Sequence, residues 1–409
     1  MKKTLSIDDQ LAILMRGVEM GDEQLKDAMQ EELRERLLES EASGTPLRVY
    51  CGYDPTSPDL HLGHTVTMRK LRQFQELGHQ VIFVIGSFTA LVGDPSDKDK
   101  ARPRLSREQV MANAKTYTDQ AFRILDRERT EVRYNHEWLS KLALEQFIEI
   151  ASNFTVQQFL ARDNFAKRYA EGTPIWLHEF FYALLQGYDA VMLEADVQLG
   201  ATEQLFNLLA GRKLQEAMGL RPQVALTLPI LVGTDGHMRM SKSTGNTIGI
   251  HEPPEEMYGK VMSIPDSAMP NYARLLTRWA PSEVHDFERG LSEGRIHPRD
   301  AKMRLAREIV AIFHGEDAAS EAEQAFQRVF QEGDLPEEIP EASFERGALI
   351  MEVLVSVGLA SSKSEARRLI DQKGVRLDGE VLTDPHRPLD FEEPKVLQVG
   401  KRRFVRLIP

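Results

Sequence analysis

The chain has 409 residues, of which 42% are hydrophobic and 28% are charged, and its net charge is −12. The length predicts two or three domains, the composition is that of a folded globular protein, and the acidic charge alone argues against a nucleic-acid partner. A single cysteine, Cys51, excludes an internal disulfide framework and fits a reducing compartment. Because no long apolar run begins the chain, we expect no signal peptide, no membrane span and a cytoplasmic location.

Residues 1–44 predict a helical lead-in. Leucine and methionine recur there at helical spacing among many glutamates, which indicates one or two amphipathic helices on a solvated surface. The breakers Ser43, Gly44 and Pro46 end this pattern. We therefore place the start of the next domain at residue 45.

A strand, a helix and a second strand follow. Residues 47–53 and 80–86 are apolar runs typical of buried parallel strands, and residues 65–77 between them are predicted to be helical. Such a βαβ unit is right-handed by default. It predicts an α/β domain with a Rossmann-like parallel sheet over residues 45–250, whose ligand binds at the carboxyl ends of the strands.

The turn between the first strand and its helix, residues 54–64, has the sequence DPTSPDLHLGH. Two prolines extend the turn, and the helix start that follows has unpaired N–H groups and a partial positive charge that suit a phosphate. His61 and His64 are three residues apart, so they share a face of a helical turn and can each donate to a phosphate oxygen. Gly63 has no Cβ, so a flat ring can lie against the backbone there. For the motif in isolation, two surface histidines at a helix start are the alternative.

A second motif, RMSKS at residues 239–243, follows an apolar strand predicted over residues 224–231. Together with the histidine motif, in this order, at this spacing and after these strands, it resembles the paired ATP-binding motifs of class I aminoacyl-tRNA synthetases. The first motif is similar to their HIGH motif and the second to their KMSKS loop. The resemblance implies a catalytic domain that uses ATP.

A helical insertion is predicted over residues 140–185, and its last helix carries polar residues on one face. Tyr182, Gln186 and Asp189 fall at positions i, i+4 and i+7 of that helix. Apolar neighbours such as Phe180 indicate that the helix is buried. We therefore interpret the polar face as part of a site and not as a solvated surface.

Three further segments are predicted in the C-terminal part. Residues 251–335 form an α-helical domain, residues 336–344 an acidic linker with two prolines, and residues 345–409 a small α+β module. From Ile350 onward the chain holds 11 basic and 9 acidic residues, a net charge of +2, which leaves −14 for the residues before it. This asymmetry is typical of a modular RNA binder.

The small module resembles an S4 RNA-binding domain. It contains a helix, a glycine stop and a second helix that begins with a predicted capping box of Ser362 and Glu365, followed by a basic hairpin. Six cations are candidates for RNA contacts: Lys363, Arg367, Arg368, Lys401, Arg402 and Arg403. An ordinary solvated face explains any one of the helical cations equally well.

Over nearly its full length the chain resembles the bacterial tyrosyl-tRNA synthetases, nearest the subgroup with a standard KMSKS loop and an S4 domain. The resemblance implies that L-tyrosine is activated with ATP to tyrosyl-adenylate and pyrophosphate, and that tyrosine is then transferred to the 3′ end of tRNA(Tyr). It also implies Mg²⁺ and a homodimer.

The resemblance assigns candidate roles residue by residue. The catalytic candidates are His61, His64 and Lys242. The candidates for ATP binding are Asp54, Thr56, Gly63, Glu203, Gln204, Arg239, Ser241 and Lys242. The candidates for tyrosine binding are Tyr50, Thr89, Asp94, Tyr182, Gln186, Asp189 and Gln198, with Asp189 and Tyr50 on the phenol hydroxyl. No residue is assigned to a protein-bound metal.

Some positions depart from the family pattern. Arg239 replaces the first lysine of KMSKS, and Ala201 and Glu203 replace a glycine and an aspartate. Ser87 and Asp97 replace an aspartate and a glycine of the subgroup, and Tyr50 matches another branch better.

Three other functions compete with this interpretation. Tryptophanyl-tRNA synthetases share the fold, but they normally lack an S4 module, and Asp189 favours a phenol ligand. Small nucleotidyltransferases with an HxGH motif are generally much shorter. A non-catalytic RNA-binding paralogue is disfavoured because His61, His64, Asp189 and Lys242 are all present, although the altered segment at residues 201–203 keeps it open.

Overall fold

The computed structural model describes residues 5–96, 105–328, 339–400 and 403–409. The chain divides into two units, residues 1–323 and 324–409. No helix among the described residues is both long enough and apolar enough to cross a membrane.

A five-stranded sheet with the order β3-β2-β1-β4-β5 forms the centre of the first unit. Its strands are β1 Arg48–Tyr53, β2 Gln80–Ile85, β3 Thr130–Tyr134, β4 Val197–Ala201 and β5 Val224–Leu228. All neighbouring strands are parallel, which confirms the predicted Rossmann-like sheet. The strand β4 is not among the elements that the sequence patterns predict.

Helices form much of the rest of the first unit. In chain order they are α1 Ile7–Met15, α2 Glu23–Ser43, α3 Leu62–Glu76, α4 Thr89–Val92, α5 Arg107–Ala121, α6 His136–Leu139, α7 Leu144–Ser152, α8 Val156–Leu160, α9 Asp163–Ala170, α10 Leu177–Met192, α11 Leu205–Ala217, α12 Pro254–Ser263, α13 Met269–Leu276, α14 Pro281–Ser292, α15 Pro298–His314 and α16 Glu316–Gln327. The last of these crosses the boundary between the units.

The predicted amphipathic helices form as α1 and α2, but their apolar faces pack into the first unit, so they are more than a solvated lead-in. Leu14 and Leu33 are completely buried. The buried ammonium of Lys70, on α3, donates to the carbonyls of Ile13 and Arg16 at 3.0 and 2.9 Å. An unpaired ammonium at this depth would be costly, so these contacts tie the lead-in to α3.

The second unit contains a mixed sheet with the order β6-β10-β9-β7-β8 and two helices. Its elements are β6 Glu341–Ser343, α17 Ile350–Ser356, α18 Lys363–Asp371, β7 Val375–Leu377, β8 Glu380–Val381, β9 Lys395–Val399 and β10 Arg403–Ile408. The strands β9 and β10 form the predicted antiparallel hairpin.

Two expectations for the second unit need correction. Residues 341–343, assigned to a linker, form β6 and pair in parallel with β10, while linker residues 336–338 lie outside the described residues. The hydroxyl of Ser362 caps α18, but the Glu365 carboxylate accepts from the backbone and hydroxyl of Ser361 and not from the backbone of Ser362. The capping box is therefore incomplete.

Candidate active site

The two histidines of the HxGH motif stabilise the start of α3. His61 is the residue directly before the helix and His64 lies in its first turn, so the two rings lie side by side, as their spacing predicts. Its Nδ1 accepts from the backbone N–H of Gly63 at 3.2 Å, and the Nδ1 of His64 accepts from the backbone N–H of His61 at 3.2 Å. Because each Nδ1 is an acceptor, we assign the ring proton of each histidine to Nε2.

Both rings are neutral at physiological pH. Burial lowers the pKa of His61 to about 4, and the charges of Lys242 and Arg239 act in the same direction. Burial also lowers the pKa of His64 well below its usual value, with His61 as the next cause. The ring centroids are 3.9 Å apart. The pair therefore consists of two neutral N–H donors.

One face of α5 holds the backbone of the turn at residues 55–60. Asn113 Nδ2 donates to the carbonyl of Pro55 at 2.9 Å, and Thr116 Oγ1 donates to the carbonyl of Pro58 at 2.7 Å. Gln120, which is 1% exposed, donates to the same Pro58 carbonyl at 2.8 Å and accepts from the backbone N–H of Leu60 at 2.7 Å. These bonds satisfy backbone groups of an irregular segment and fix its course.

The loop with the RMSKS motif contacts two other segments. Lys242 Nζ donates to Ser57 Oγ at 3.0 Å and lies 3.8 Å from a carboxylate oxygen of Asp59. Arg239 forms an ion pair with Glu203, with 3.0 Å between Nη1 and Oε1.

Asn246 fixes the base of this loop. Its Nδ2 donates to the Arg239 carbonyl at 3.0 Å, and its Oδ1 accepts from the backbone N–H of Ser241 at 2.8 Å. The side chain is 5% exposed. Motif reasoning did not assign it a role.

A pocket of about 390 Å³ lies where these segments meet. It is lined by Thr56, Ser57, His61, Gly63, His64, Val66, Thr67, Ala201, Glu203, Leu228, Pro229, Ile230, Leu231, Arg239, Met240, Ser241 and Lys242. The structure thus brings together both motifs and the segment after β4. An ideal Cβ on Gly63 would lie 3.0 Å from the His61 ring, so that position favours glycine.

A buried polar network begins at Asp54, directly after β1. Asp54 accepts from Thr89 Oγ1 at 2.7 Å and from the Tyr182 hydroxyl at 3.0 Å. Asn135 donates to Thr89 Oγ1 at 3.0 Å and to Asp189 Oδ2 at 3.2 Å. The network therefore connects the carboxyl ends of β1 and β3 with α10.

Asp189 is the deepest carboxylate of this network. Its Oδ1 accepts from the indole N–H of Trp138 at 2.8 Å. Burial raises the pKa of Asp189 to about 7, although the bonds from Trp138 and Asn135 act in the opposite direction. Burial and the nearby Asp189 also raise the pKa of Tyr50 well above its usual value.

A second group of polar side chains connects Asp94 with α11. Asp94 accepts from Ser96 Oγ at 2.6 Å and from Gln204 Nε2 at 3.1 Å. Asn207 donates to Gln186 Oε1 at 3.0 Å and to Ser96 Oγ at 3.3 Å. Asp94, Gln186 and Gln204, which sequence reasoning assigned to two substrates, are thus joined through Ser96 and Asn207.

Gln198 lies apart from these bonded groups. It is completely buried, and its Oε1 accepts from Gln223 Nε2. Its own Nε2 has no hydrogen-bond partner among the residues that the structure describes. Its predicted contact with tyrosine stays a prediction.

Comparison with known proteins identifies the family. Residues 42–331 match the model described as tRNA synthetases class I (W and Y), and residues 350–394 match the S4 domain. A tyrosine–tRNA ligase of Moorella thermoacetica is 52% identical over 97% of this chain and 95% of its own length. A tyrosine–tRNA ligase of Thermotoga maritima is 51% identical over 91% of this chain and 93% of its own length. The chain belongs to the tyrosine–tRNA ligase family.

Solved structures of this family have the same fold. A C-terminally truncated mitochondrial tyrosyl-tRNA synthetase of Aspergillus nidulans superposes with a TM-score of 0.63 at 22% identity, covering 79% of this chain and 94% of its own. The tyrosyl-tRNA synthetase of Archaeoglobus fulgidus complexed with L-tyrosine superposes with a TM-score of 0.59 at 23% identity, covering 78% of this chain and 100% of its own. At these identities the likeness concerns the fold.

The candidate RNA-binding cations of the second unit differ in their surroundings. Arg367 and Arg368 are exposed on α18, and Lys363 pairs with Glu352 at 2.7 Å. Arg403 donates to the carbonyl of Leu359 at 2.8 Å. Lys401 and Arg402 lie outside the described residues, so the structure gives no position for them.

The departures from the tyrosine–tRNA ligase pattern have identifiable neighbours. Arg239 and Glu203 contact each other, and Ala201 lines the pocket beside them. Ser87 Oγ lies 3.0 Å from His136 Nδ1. Asp97 lies outside the described residues.

Sequence reasoning missed several residues that hold the site together. The side chains of Asn135, Trp138, Asn207 and Asn246 bond to predicted site residues or to their backbone. Gln120 bonds to the backbone of the turn that precedes His61. Only Asn135 has a usable signal, because it directly follows the strand β3 and so lies at the carboxyl edge of the parallel sheet, where ligand-binding residues are found. Trp138, Gln120 and Asn207 act through partners that are distant in sequence, and Asn246 acts within its own loop.

Proposed function

We propose that the pocket and the network beside it carry out both steps of a tyrosine–tRNA ligase. In the first step, a carboxylate oxygen of tyrosine attacks the α-phosphorus of ATP, the bond to the pyrophosphate oxygen breaks, and pyrophosphate leaves. In the second step, tyrosine passes to the 3′ end of tRNA(Tyr) and AMP leaves. The observation that carries this proposal is that His61, His64 and Lys242 converge on one pocket.

The donors of this pocket would stabilise charge on the phosphates. The tyrosine carboxylate is already a nucleophile, so the first step needs no general base. Its barrier comes from charge that develops on the α-phosphoryl group and on the pyrophosphate, which preorganised donors lower. We assign this role to the Nε2–H groups of His61 and His64, to Lys242 and to the backbone at the start of α3.

The remaining lining residues would bind the rest of ATP. The adenine would lie against Gly63 and the apolar segment at residues 228–231, where a side chain on the glycine would intrude. Glu203 and Gln204 would lie near the ribose. Further contacts to ATP are proposed for Asp54, Thr56 and Ser241, and Arg239 belongs to the same ATP site, where it pairs with Glu203.

The buried network would bind tyrosine. We assign the phenol hydroxyl to Asp189 and Tyr50, because a buried carboxylate that already accepts two hydrogen bonds is held in one orientation. The α-ammonium group is assigned to Asp94, Tyr182 and Gln186. Thr89 and Gln198 complete the proposed set. A phenylalanine ligand would leave a further acceptor site of the buried Asp189 carboxylate unfilled, at a cost of about 1–3 kcal/mol.

We propose that Mg²⁺ enters with ATP. Among residues 5–96, 105–328, 339–400 and 403–409, no group of three or more metal-ligating side chains lies together. Mg²⁺ prefers phosphate oxygens and water over protein cages that lack several carboxylates. It would neutralise phosphate charge in the complex.

The second unit would hold the tRNA. Arg367 and Arg368 are exposed on α18 and suit contacts to the phosphate backbone. We propose further contacts to RNA for Lys363 and Arg403. Lys401 and Arg402 are proposed on sequence grounds alone. Such contacts predict an affinity for tRNA that falls steeply with salt.

A homodimer is proposed through the helical insertion. Six large apolar side chains on or next to α7, α8, α9 and α10 are each more than half exposed: Leu144, Ile148, Val156, Tyr169, Trp176 and Leu177. Large apolar side chains that are exposed within one segment of the chain are candidates for a protein interface. Sedimentation analysis should give a dimer, and Trp176→Glu combined with Leu177→Glu should give a monomer.

Tyrosine-dependent exchange of pyrophosphate into ATP tests the proposed function. Tyrosine, phenylalanine and tryptophan are to be compared side by side with the full chain. We expect exchange with tyrosine alone. Exchange with tryptophan alone would favour a tryptophan ligase, and a folded protein without exchange would favour a non-catalytic RNA-binding paralogue.

A further inference from the structure

The loop with Lys242 is bonded to two different segments of the pocket lining. Lys242 contacts Ser57 and Asp59 in the turn after β1. Three residues earlier in the loop, Arg239 contacts Glu203, which follows β4, at 3.0 Å. The Glu203 side chain is 15% exposed and that of Arg239 is 45% exposed, so the ion pair is partly shielded from water.

The two residues of this ion pair are both departures from the family pattern, and they touch each other. Glutamate at position 203 reaches one methylene farther than the aspartate common in the family. Arginine at position 239 presents a planar fork of donors, which matches a carboxylate better than the point charge of lysine. The two changes therefore favour a contact between the loop and the segment after β4.

We propose that Arg239 is a positioning residue, which holds the Lys242 loop in place by pairing with the carboxylate that also meets the ribose of ATP. The inference rests on the proposed function, in which Glu203 lies near the ribose. A carboxylate accepts several hydrogen bonds, so Glu203 can hold Arg239 and a ribose hydroxyl together. Recognition of the ribose is thereby linked to the position of Lys242.

This role differs from a direct contact between Arg239 and the phosphates. A direct contact makes the effect of Arg239 independent of Glu203 and of the ribose hydroxyls. A role through Glu203 makes the effect depend on both. The two possibilities therefore predict different double-mutant cycles and different responses to deoxy-ATP.

The test is a double-mutant cycle with Arg239→Met, Glu203→Gln and the double variant, measured as kcat and KM for ATP in tyrosine-dependent exchange. We expect Arg239→Met to lower kcat/KM for ATP about tenfold in the parent protein but less than about twofold in the Glu203→Gln background. An equal loss in both backgrounds overturns the inference. Thermal unfolding of each variant checks that the fold is intact.

A second readout uses the preference for ATP over 2′-deoxy-ATP and 3′-deoxy-ATP. Because Arg239 orients the carboxylate that meets the ribose, we expect Arg239→Met to reduce this preference about threefold or more for at least one analogue. An unchanged preference with both analogues contradicts the proposed role. A merely structural effect of Arg239 would lower the rate with ATP and with its analogues alike.

Arg274 and Glu288 provide a matched control. They form an ion pair at 2.7 Å with side-chain exposures of 50% and 26%, on α13 and α14, and neither residue lines the pocket. Arg274→Met should leave the nucleotide preference unchanged. If the parent protein shows no tyrosine-dependent exchange, the proposed function fails, and the inference fails with it. If the parent shows exchange but the effects of Arg239→Met and Glu203→Gln are additive, only the inference is overturned.

Discussion

The nucleotide pocket and the Asp189 network use polar side chains in opposite ways. In the pocket, histidine and lysine side chains lie on loops and a helix start, and their bonds hold backbone and loop segments around an open volume. In the network, Asp54, Asn135 and Asp189 are bonded mainly to one another and to buried neighbours. The comparison predicts that changes in the pocket affect rate, whereas changes in the network affect stability and the choice of amino acid.

The largest effect is expected from Lys242→Ala. Loss of a positioned cation on developing phosphate charge should lower the rate of adenylate formation by about 10²–10³. Because the lysine is exposed, the free energy of unfolding should change by less than about 1 kcal/mol. Rapid-quench measurement of adenylate checks the rate, and unfolding by denaturant checks the free energy of unfolding.

Lys26→Ala is a suitable control, because Lys26 also forms an exposed ion pair, with Glu23 at 3.3 Å. It should change neither quantity. A rate for Lys242→Ala close to that of the parent would contradict the role of Lys242.

Trp138→Phe should affect stability and amino-acid preference more than the reaction with ATP. It removes one of the two donors that orient Asp189, and it should lower the free energy of unfolding by about 1–3 kcal/mol. We expect the preference for tyrosine over phenylalanine in the exchange reaction to fall about tenfold, with little change in KM for ATP.

Trp279→Phe is the matched control for that measurement, since Trp279 is buried against Phe287 and makes no bond to Asp189. A loss of stability without any change in amino-acid preference would limit Trp138 to a structural role.

Gln120→Leu should affect both stability and kcat. It removes the bonds to Pro58 and Leu60 that hold the turn before His61. We expect a loss of about 1–3 kcal/mol in stability, since buried backbone groups become unpaired, and a fall in kcat of roughly fivefold. Thr118→Val, which alters the same helix but bonds only to the carbonyl of Ala114 within that helix, should leave kcat unchanged.

The smallest predicted effect concerns pH. The pKa of Asp189 is raised to about 7, whereas that of His61 is lowered to about 4. Because the folded chain holds the Asp189 proton more tightly than the unfolded chain does, this group should make the free energy of unfolding fall as pH rises from about 4 to about 7. An ionised carboxylate is the stronger acceptor, so tyrosine should bind about fivefold more tightly at pH 8 than at pH 6.

Calorimetric titration with tyrosine at several pH values checks this expectation. Asp189→Asn should remove the pH dependence, since the amide does not titrate. A flat affinity between pH 5.5 and 8 would contradict a titrating Asp189 at the phenol.

Patterns in the sequence predict the elements that depend on local information. The apolar runs of β1 and β2 and the glycine stops of the C-terminal unit are of this kind. The strand β4 is different, because a segment as short as Val197–Ala201 becomes a strand by pairing with β1 on one side and β5 on the other. Its context, and not its composition, decides its conformation.

The same limit applies to the site. His61, His64 and Lys242 belong to motifs whose spacing is visible in the sequence, and the structure gathers them in one pocket. Trp138 and Asp189 meet only because α6 and α10 pack together, and they are about 50 residues apart. The buried ammonium of Lys70 looks like a surface lysine until its carbonyl partners on and after α1 are known.

The central position of β1 has a consequence for the synthesis of the protein. Tyr50 pairs with Ile82 on one side and with Gln198, about 150 residues later, on the other. At about 5–20 residues per second, a ribosome needs roughly 7–30 s to supply that second partner. Until then one edge of an apolar strand lacks its native neighbour, and unpaired edges promote aggregation. Nascent chains that stall between residues 140 and 195 should therefore depend on chaperones more than chains that stall after β5.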